Sequence, residues 1–128
     1  MIDHLSITVA NIEKSRIFYD AALAALGATR IMNMDRTEVR LSGYGRDGKP
    51  SFWIAETAGE ADALAGHVAF AAPDRGTVDA FYQAAIAAGA SDNGAPGLRP
   101  HYHPDYYASF VVDPDGNRLE AVCHKPSA

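Results

Sequence analysis

Two histidines and one glutamate in this chain are placed to bind a metal ion. His4 lies in Asp3 to Val9 and His67 opens His67 to Ala72, two short stretches in which residue character alternates. In a strand, successive side chains point to opposite faces, so His4, Ser6 and Thr8 share one face and Leu5, Ile7 and Val9 the other. His67 stands in the same way opposite Val68 and Phe70, and Glu120 opposite Leu119 and Cys123. Two neutral imidazoles and one carboxylate would hold a divalent ion with a net charge of about +1 and leave positions for water or substrate. Fe, Mn, Co, Ni and Zn all accept such a set. An ion with open positions polarises a substrate oxygen or acidifies a water. One strand histidine alone would pass for a structural residue; two at equivalent places in a repeat, with a carboxylate on a late strand, point to a shared ligand role.

A second group lies in the stretch Gly94 to Asp105, where Gly94, Pro96, Gly97 and Pro100 precede His101-Tyr102-His103-Pro104. A loop this rich in imidazoles and aromatics is expected to be functional. His101, His103 and Tyr106 are the candidates for proton transfer, since histidine exchanges protons near neutral pH and tyrosine can donate to a developing oxyanion. Phe52, Trp53, Arg99, Tyr107 and Phe110 are expected to line the substrate pocket. Arg99 would pair with a substrate carboxylate, and the aromatics would stack on a flat ligand. His124 shares the parity of Glu120 but lies near the chain end.

The elements that must position these groups are written twice. His4 is followed 14 residues later by Phe18-Tyr19, and His67 by Phe81-Tyr82 at the same interval. An alanine-rich stretch follows each pair and stops at Gly27-Ala28 or Gly89-Ala90, 23 and 22 residues after the histidines. Asp47-Gly48 then precedes Phe52-Trp53-Ile54, as Asp115-Gly116 precedes Leu119-Glu120-Ala121. Matches in the same order imply internal repetition. Each half therefore reads as a strand, a helix and three further strands. Asn11 caps a helix over about residues 12 to 26, and Asp74 or Thr77 one over about 77 to 88, with Gly27 and Gly89 as left-handed stops. Phe18, Ala22 and Ala25, like Phe81, Ala85 and Ala88, form the helix stripe that packs on the apolar strand face. The remaining strands fall near 29 to 35, 37 to 42 and 51 to 55, then near 90 to 93, 106 to 113 and 117 to 124. Asp113-Pro114-Asp115-Gly116-Asn117 is the turn between the last two. If the core lies under the helices, His4, His67 and Glu120 project into the concavity of curved sheets.

Composition narrows the rest. At 128 residues, with 48% hydrophobic and 21% charged content, the chain is expected to be one domain with an ordinary core. Its modules are expected at about 1–62 and 63–128. A formal charge of −5 with only 11 scattered basic residues argues against nucleic acid. No apolar run approaches the roughly 18 residues of a membrane span, and no basic-then-apolar leader is legible at the N-terminus. The single cysteine, Cys123, cannot form an internal disulfide. A cytoplasmic protein with a small-molecule substrate is the expectation.

The histidine at the first strand of each half, the Phe-Tyr helix and the closing Asp-Pro-Asp-Gly-Asn-Arg-Leu-Glu segment resemble the vicinal oxygen chelate superfamily over the whole chain. That group includes glyoxalase I, extradiol dioxygenases, fosfomycin and bleomycin resistance proteins and methylmalonyl-CoA epimerase. The resemblance implies an α+β fold of two tandem βαβββ modules forming a cupped mixed sheet around one divalent metal ion, with His4, His67 and Glu120 as ligands, in a homodimer. The fourth ligand of some members belongs on the last strand of the first module, where this chain has Phe52, Trp53 and Ile54, with Glu56 two residues on. In the extradiol pattern a tyrosine lies three residues before the Asp-Pro turn, and here that place holds Phe110. The activity implied is that of a metal-dependent lyase, isomerase or dioxygenase that stabilises an oxyanion or enolate of a substrate with two adjacent oxygens. The alternative is a metal-independent protein of the bleomycin-resistance kind that sequesters a flat ligand.

Overall fold

The structure, a computed structural model, describes residues 1–127; Ala128, the last residue of the second expected module, lies outside the described residues. The first half runs β1 (Leu5–Val9), α1 (Ile12–Ala24), β2 (Thr29–Asp35), β3 (Arg40–Arg46) and β4 (Lys49–Glu56). The second runs β5 (His67–Ala71), α2 (Arg75–Ala87), β6 (Ser91–Asp92), β7 (Gly97–Leu98), β8 (Tyr107–Val112) and β9 (Arg118–Cys123). Each half makes its own mixed sheet, in the orders β1-β4-β3-β2 and β5-β9-β8-β6, with β7 also paired to β8. β1 runs parallel to β4 and β5 parallel to β9, while the other pairs are antiparallel. In each half the crossover helix carries the chain to the far edge of the sheet, and the antiparallel strands that follow return until the last lies parallel beside the first.

Both helices start where the capping residues stand. The Asn11 side chain accepts from the Lys14 amide at 3.0 Å and Asp74 from the Thr77 amide at 2.7 Å, so the second helix begins earlier than residue 77. Gly27, at φ 77°, takes the left-handed step that lets the Ala28 amide reach the Leu23 carbonyl, which ends α1.

The two sheets share one core. Ile7, Val9 and Ile54 from the first sheet, Val68, Leu119 and Ala121 from the second, and Phe18, Tyr19, Leu23, Phe81 and Ala85 from the helices are all buried in it. A row of rings crosses the boundary between the halves, Tyr19 to Phe52 at 5.3 Å, Phe52 to Phe70 at 5.2 Å and Phe70 to Phe81 at 6.1 Å. The helices lie on the core side, and both sheets turn their other face outward.

The Asp113–Asn117 turn fastens the second half to the first. The buried Asp113 carboxylate accepts from the amides of Asp115 and Asn117, the side-chain amide of Asn117 and the hydroxyl of Tyr19 on α1. Asn117 also donates to the Thr8 carbonyl and accepts from the Leu64 amide, and Asp115 accepts from the Ala10 amide. One tight turn therefore reaches β1, α1 and the link between the halves. Burial, followed by the Asp113 charge, holds the Tyr19 phenol well above its ordinary pKa of 10.0.

Two further element expectations are corrected. β3 lies at 40–46 rather than 37–42, because Asp47 and Gly48, at φ 54° and 74°, make a two-residue hairpin that carries both strands to Arg46 and Lys49. Its two glycines are strand residues, not breakers. The stretch Gly94 to Asp105, read as an uninterrupted loop, contains β7, since the chain bulges after β6 and rejoins β8 at Gly97.

Replacing Asp113 by Ala strands several buried donors and is expected to cost about 3 kcal/mol, and Tyr19→Phe about 1 kcal/mol. Both are read as lower urea midpoints at unchanged m-value. Because the folded Tyr19 pKa is raised, its contribution is complete below pH 10 and falls as pH rises toward the folded value. Wild-type stability is expected to decline above that pH more steeply than that of Tyr19→Phe in urea titrations repeated along the alkaline range.

Candidate functional site

The outward face of the second sheet holds a buried carboxylate. β5 and β9 are in register with Ala69 opposite Glu120, so His67, one pleat away, shares the Glu120 face. Glu120 is 1% exposed, its Oε1 lies 3.2 Å from His67 Nε2, and its Oε2 accepts from the hydroxyl of Tyr106. The Tyr106 phenol is pushed up to about 12 by burial first and then by its hydrogen bond to Glu120 and that residue's charge. It therefore keeps its proton at neutral pH and holds the carboxylate in one orientation. His67 is the one basic side chain within ion-pair reach of Glu120 among the described residues. A carboxylate this buried calls for a cation. Ligand atoms about 3 Å apart are also what two neighbours at bonds of about 2.1 Å to one ion present. The pair fits a divalent metal.

The outward face of the first sheet carries His4, one residue before β1. Its Nδ1 lies 2.7 Å from Asp3 Oδ1, and the second Asp3 oxygen takes Lys49 Nζ at 3.1 Å. The Asp3 carboxyl is held below the usual range by His4 first and then by Lys49. A carboxylate on Nδ1 leaves Nε2 for a ligand and fixes the ring, as it does for many metal-binding histidines. Asp3 was not singled out from the sequence, although an acid beside a candidate ligand was the available signal. His4 lines a cavity of about 290 Å³ with Ser6, Met32, Met34, Leu41 and Trp53.

These two places are not one place. Among the described residues of a single chain, no three His, Cys, Asp or Glu side chains are grouped to hold a metal ion. The structure brings His67 and Glu120 together and leaves His4 on the other sheet.

The remaining candidates divide by strand parity. Phe110 is the cross-strand neighbour of Glu120 and lies on its face, with the Arg99 guanidinium 5.3 Å from the ring centre and bonded to the Ala95 carbonyl. Tyr107 points the other way and donates to Asp79 on α2 at 2.7 Å, so it braces the helix rather than the pocket. Phe52 also departs from expectation. It alternates with Trp53, is 5% exposed and packs in the core ring row, so only Trp53 shares the His4 face. Glu56, considered as a fourth ligand, accepts from the Ile12 amide at 2.8 Å and caps α1. His101 and His103 are exposed, and among the described residues Tyr106 and His67, not these two, are the side chains bonded to or paired with Glu120. They border a row of rings in which His101 meets Tyr102 at 4.2 Å, Tyr102 meets Tyr106 at 5.1 Å, Tyr106 meets His124 at 5.0 Å, and His124 meets His103 at 5.8 Å. His103 Nδ1 accepts from the Asp105 amide at 3.0 Å, which requires that nitrogen to be unprotonated. A larger cleft of about 410 Å³ between the halves includes Arg46, Lys49 and Phe70 but none of the three expected ligands.

Residues 1–121 match the family described as Glyoxalase/Bleomycin resistance protein/Dioxygenase superfamily, and the chain belongs to it. A glyoxalase/bleomycin resistance protein from Albidiferax ferrireducens T118 is 30% identical, with a TM-score of 0.74 over 94% of this chain and 95% of that one. The chain is similar in fold to a mutant of the fosfomycin resistance protein FosX from Listeria monocytogenes, complexed with Mn(II) and 1S,2S-dihydroxypropylphosphonic acid. That match is 17% identical, with a TM-score of 0.65 over 95% of this chain and 88% of that one. A mutant glyoxalase I from Zea mays is 20% identical with a TM-score of 0.70; the match covers 94% of this chain and 46% of the maize chain. No curated protein matches the sequence. No helix among the described residues is long and apolar enough to cross a membrane.

Since Glu56 is a helix cap, Glu56→Ala is expected to lower stability by about 1 kcal/mol. Its metal content, measured by atomic emission beside the wild type, is expected to be unchanged.

Proposed function

We propose that this member of the superfamily is a divalent-metal-dependent enzyme acting on a small molecule with two adjacent oxygens. Each centre takes His67 and Glu120 from one chain and His4 of the partner subunit in a homodimer. The observation that carries this reading is the buried Glu120 carboxylate, clamped by Tyr106 and facing His67, with an Asp3-braced histidine left open on a separate outward face. Two half-cups, one with two ligands and one with a single ligand, are complementary under a twofold axis. The solved relatives support the class: FosX in complex with Mn(II), and a glyoxalase I.

An ion held by two imidazoles and a carboxylate would leave room for both substrate oxygens and favour negative charge developing on them, which suits lyase, isomerase or dioxygenase chemistry. Tyr106 keeps Glu120 oriented and holds its own proton. Asp3 fixes the His4 ring. Phe110 and Arg99 wall the Glu120 side. His101 and His103 stand at the solvent end of the ring row from Tyr106 and are assigned to proton exchange with water. The buried, free thiol of Cys123 suits a reducing compartment, and we assign the protein to the cytoplasm.

His67→Ala is expected to remove bound metal while the protein stays folded; a wild-type preparation without stoichiometric metal, binding a flat ligand equally well after His67→Ala, would favour sequestration instead. The cross-subunit arrangement is tested by mixing. His4→Ala and Glu120→Gln chains are each expected to lose tight Mn(II) binding, while their refolded mixture regains one intact centre per heterodimer, read by electron paramagnetic resonance. No regain on mixing would place the whole centre within one chain. Tyr106→Phe is expected to weaken Mn(II) binding by about tenfold, as loss of an orienting partner does.

A further inference from the structure

The first sheet's outward face is built around one ring. Met32 on β2, Gly43 on β3, Trp53 on β4 and Ser6 on β1 are register partners in a single row across the sheet. A Cβ at Gly43 would lie 2.8 Å from two atoms of the six-membered ring of Trp53 and 2.9 Å from the Pro50 Cβ. The missing side chain is therefore what allows the indole to lie against the β3 backbone instead of standing off the sheet. Ser6 on the other side is also small. Met32, half exposed, and Met34 and Leu41 in the next row rim the cavity of about 290 Å³. Methionines adapt to the outline of a bound ring and make favourable contacts to its edge.

Charge stays out of the cavity lining, although the Asp3–Lys49 pair stands behind His4 at its edge. No Lys, Arg, Asp or Glu lines the cavity, and its polar members are His4, Ser6 and Asn33, the last with its side-chain oxygen accepting from Ser42 and Arg30. The arginines of the adjoining elements are engaged elsewhere: Arg16 with Asp35, Arg30 with Asp20, and Arg40 with Glu13 and Asp35. Away from the His4 edge a phosphonate or carboxylate would meet no counter-charge on the cavity walls, whereas an uncharged flat group would exchange water for the indole face and two thioethers.

We infer that Trp53, laid flat by Gly43 and rimmed by Met32, Met34 and Leu41, is the platform on which an uncharged, planar aromatic part of the substrate stacks. Its oxygens are then directed toward His4 at the edge of the same cavity. This names the substrate class and rests on the proposed centre only for the direction of the oxygens; stacking itself needs no metal.

Trp53 is the only tryptophan in the sequence, so its emission reports this face alone. 2-Naphthol, which is planar and neutral and lacks adjacent oxygens, is titrated into the intact protein with and without a chelator. The expected result is saturable quenching that is the same in both and, with the chelator present, no change with 1,2-dihydroxypropylphosphonate. Met32→Ser, at an exposed position, is expected to weaken 2-naphthol several-fold with an unaltered thermal midpoint. Gly43→Ala, which pushes the ring off the strand, is expected to weaken it by about tenfold. Linear, non-saturating quenching that is equal in wild type and Met32→Ser would overturn the inference. So would emission that shifts with protein concentration and ignores the probe, which would mean that a second copy covers the face. A wild-type protein that binds no Mn(II) but still binds 2-naphthol would sink the metal centre and leave the platform standing.

Discussion

The buried carboxylate of Asp113 is the joint on which the molecule depends. It is 4% exposed, a costly place for a charge, and it is stable there because amides of its own turn, the Asn117 side chain and Tyr19 all donate to it. Tyr19 belongs to the first half and the turn to the second, so satisfying this charge docks one half on the other. Asn117 and Asp115 extend the joint to Thr8 and Ala10, at and just past the end of β1. The hydrophobic core supplies area, but area is indifferent to register. The directional bonds of this turn determine where the second sheet sits.

Docking the halves through their helices leaves the opposite faces of both sheets unpartnered. Those faces are unlike. The second bears a carboxylate nearly removed from water, a tyrosine locked to it and an imidazole at its edge. The first bears an Asp-braced histidine beside an apolar floor of Trp53, Met32, Met34 and Leu41. One half is suited to charge and the other to an uncharged body.

The networks behind these faces explain how they stay open. Arg16, buried at 6%, bonds Ser42 and Asp35 from α1 and fixes the inner side of β2 and β3 while Met32, Met34 and Leu41 look outward. The Arg16 guanidinium beside Asp35 holds that carboxyl below its usual range, with Arg40 adding to it. On the second sheet Tyr107 does the comparable work through Asp79, leaving its neighbour Tyr106 for Glu120. Adjacent tyrosines have opposite duties because a strand alternates.

Periodicity and punctuation were enough to read the architecture. The repeated histidine, Phe-Tyr and glycine spacings exposed two similar halves, the capping residues marked both helices, and parity put His4, His67 and Glu120 on the faces away from the core. All of these are local properties, set within a few residues of chain. What the linear pattern left open depends on groups distant in sequence. That Phe52 and Tyr107 turn inward, that Glu56 caps a helix 44 residues away, that Gly43 makes room for Trp53, and that His4 does not meet His67 within one chain were decided by tertiary packing. Alternation assigns a side chain to one of two faces; only the docking of helices on the sheets says which face is core, and the joint at Asp113 then fixes one half against the other.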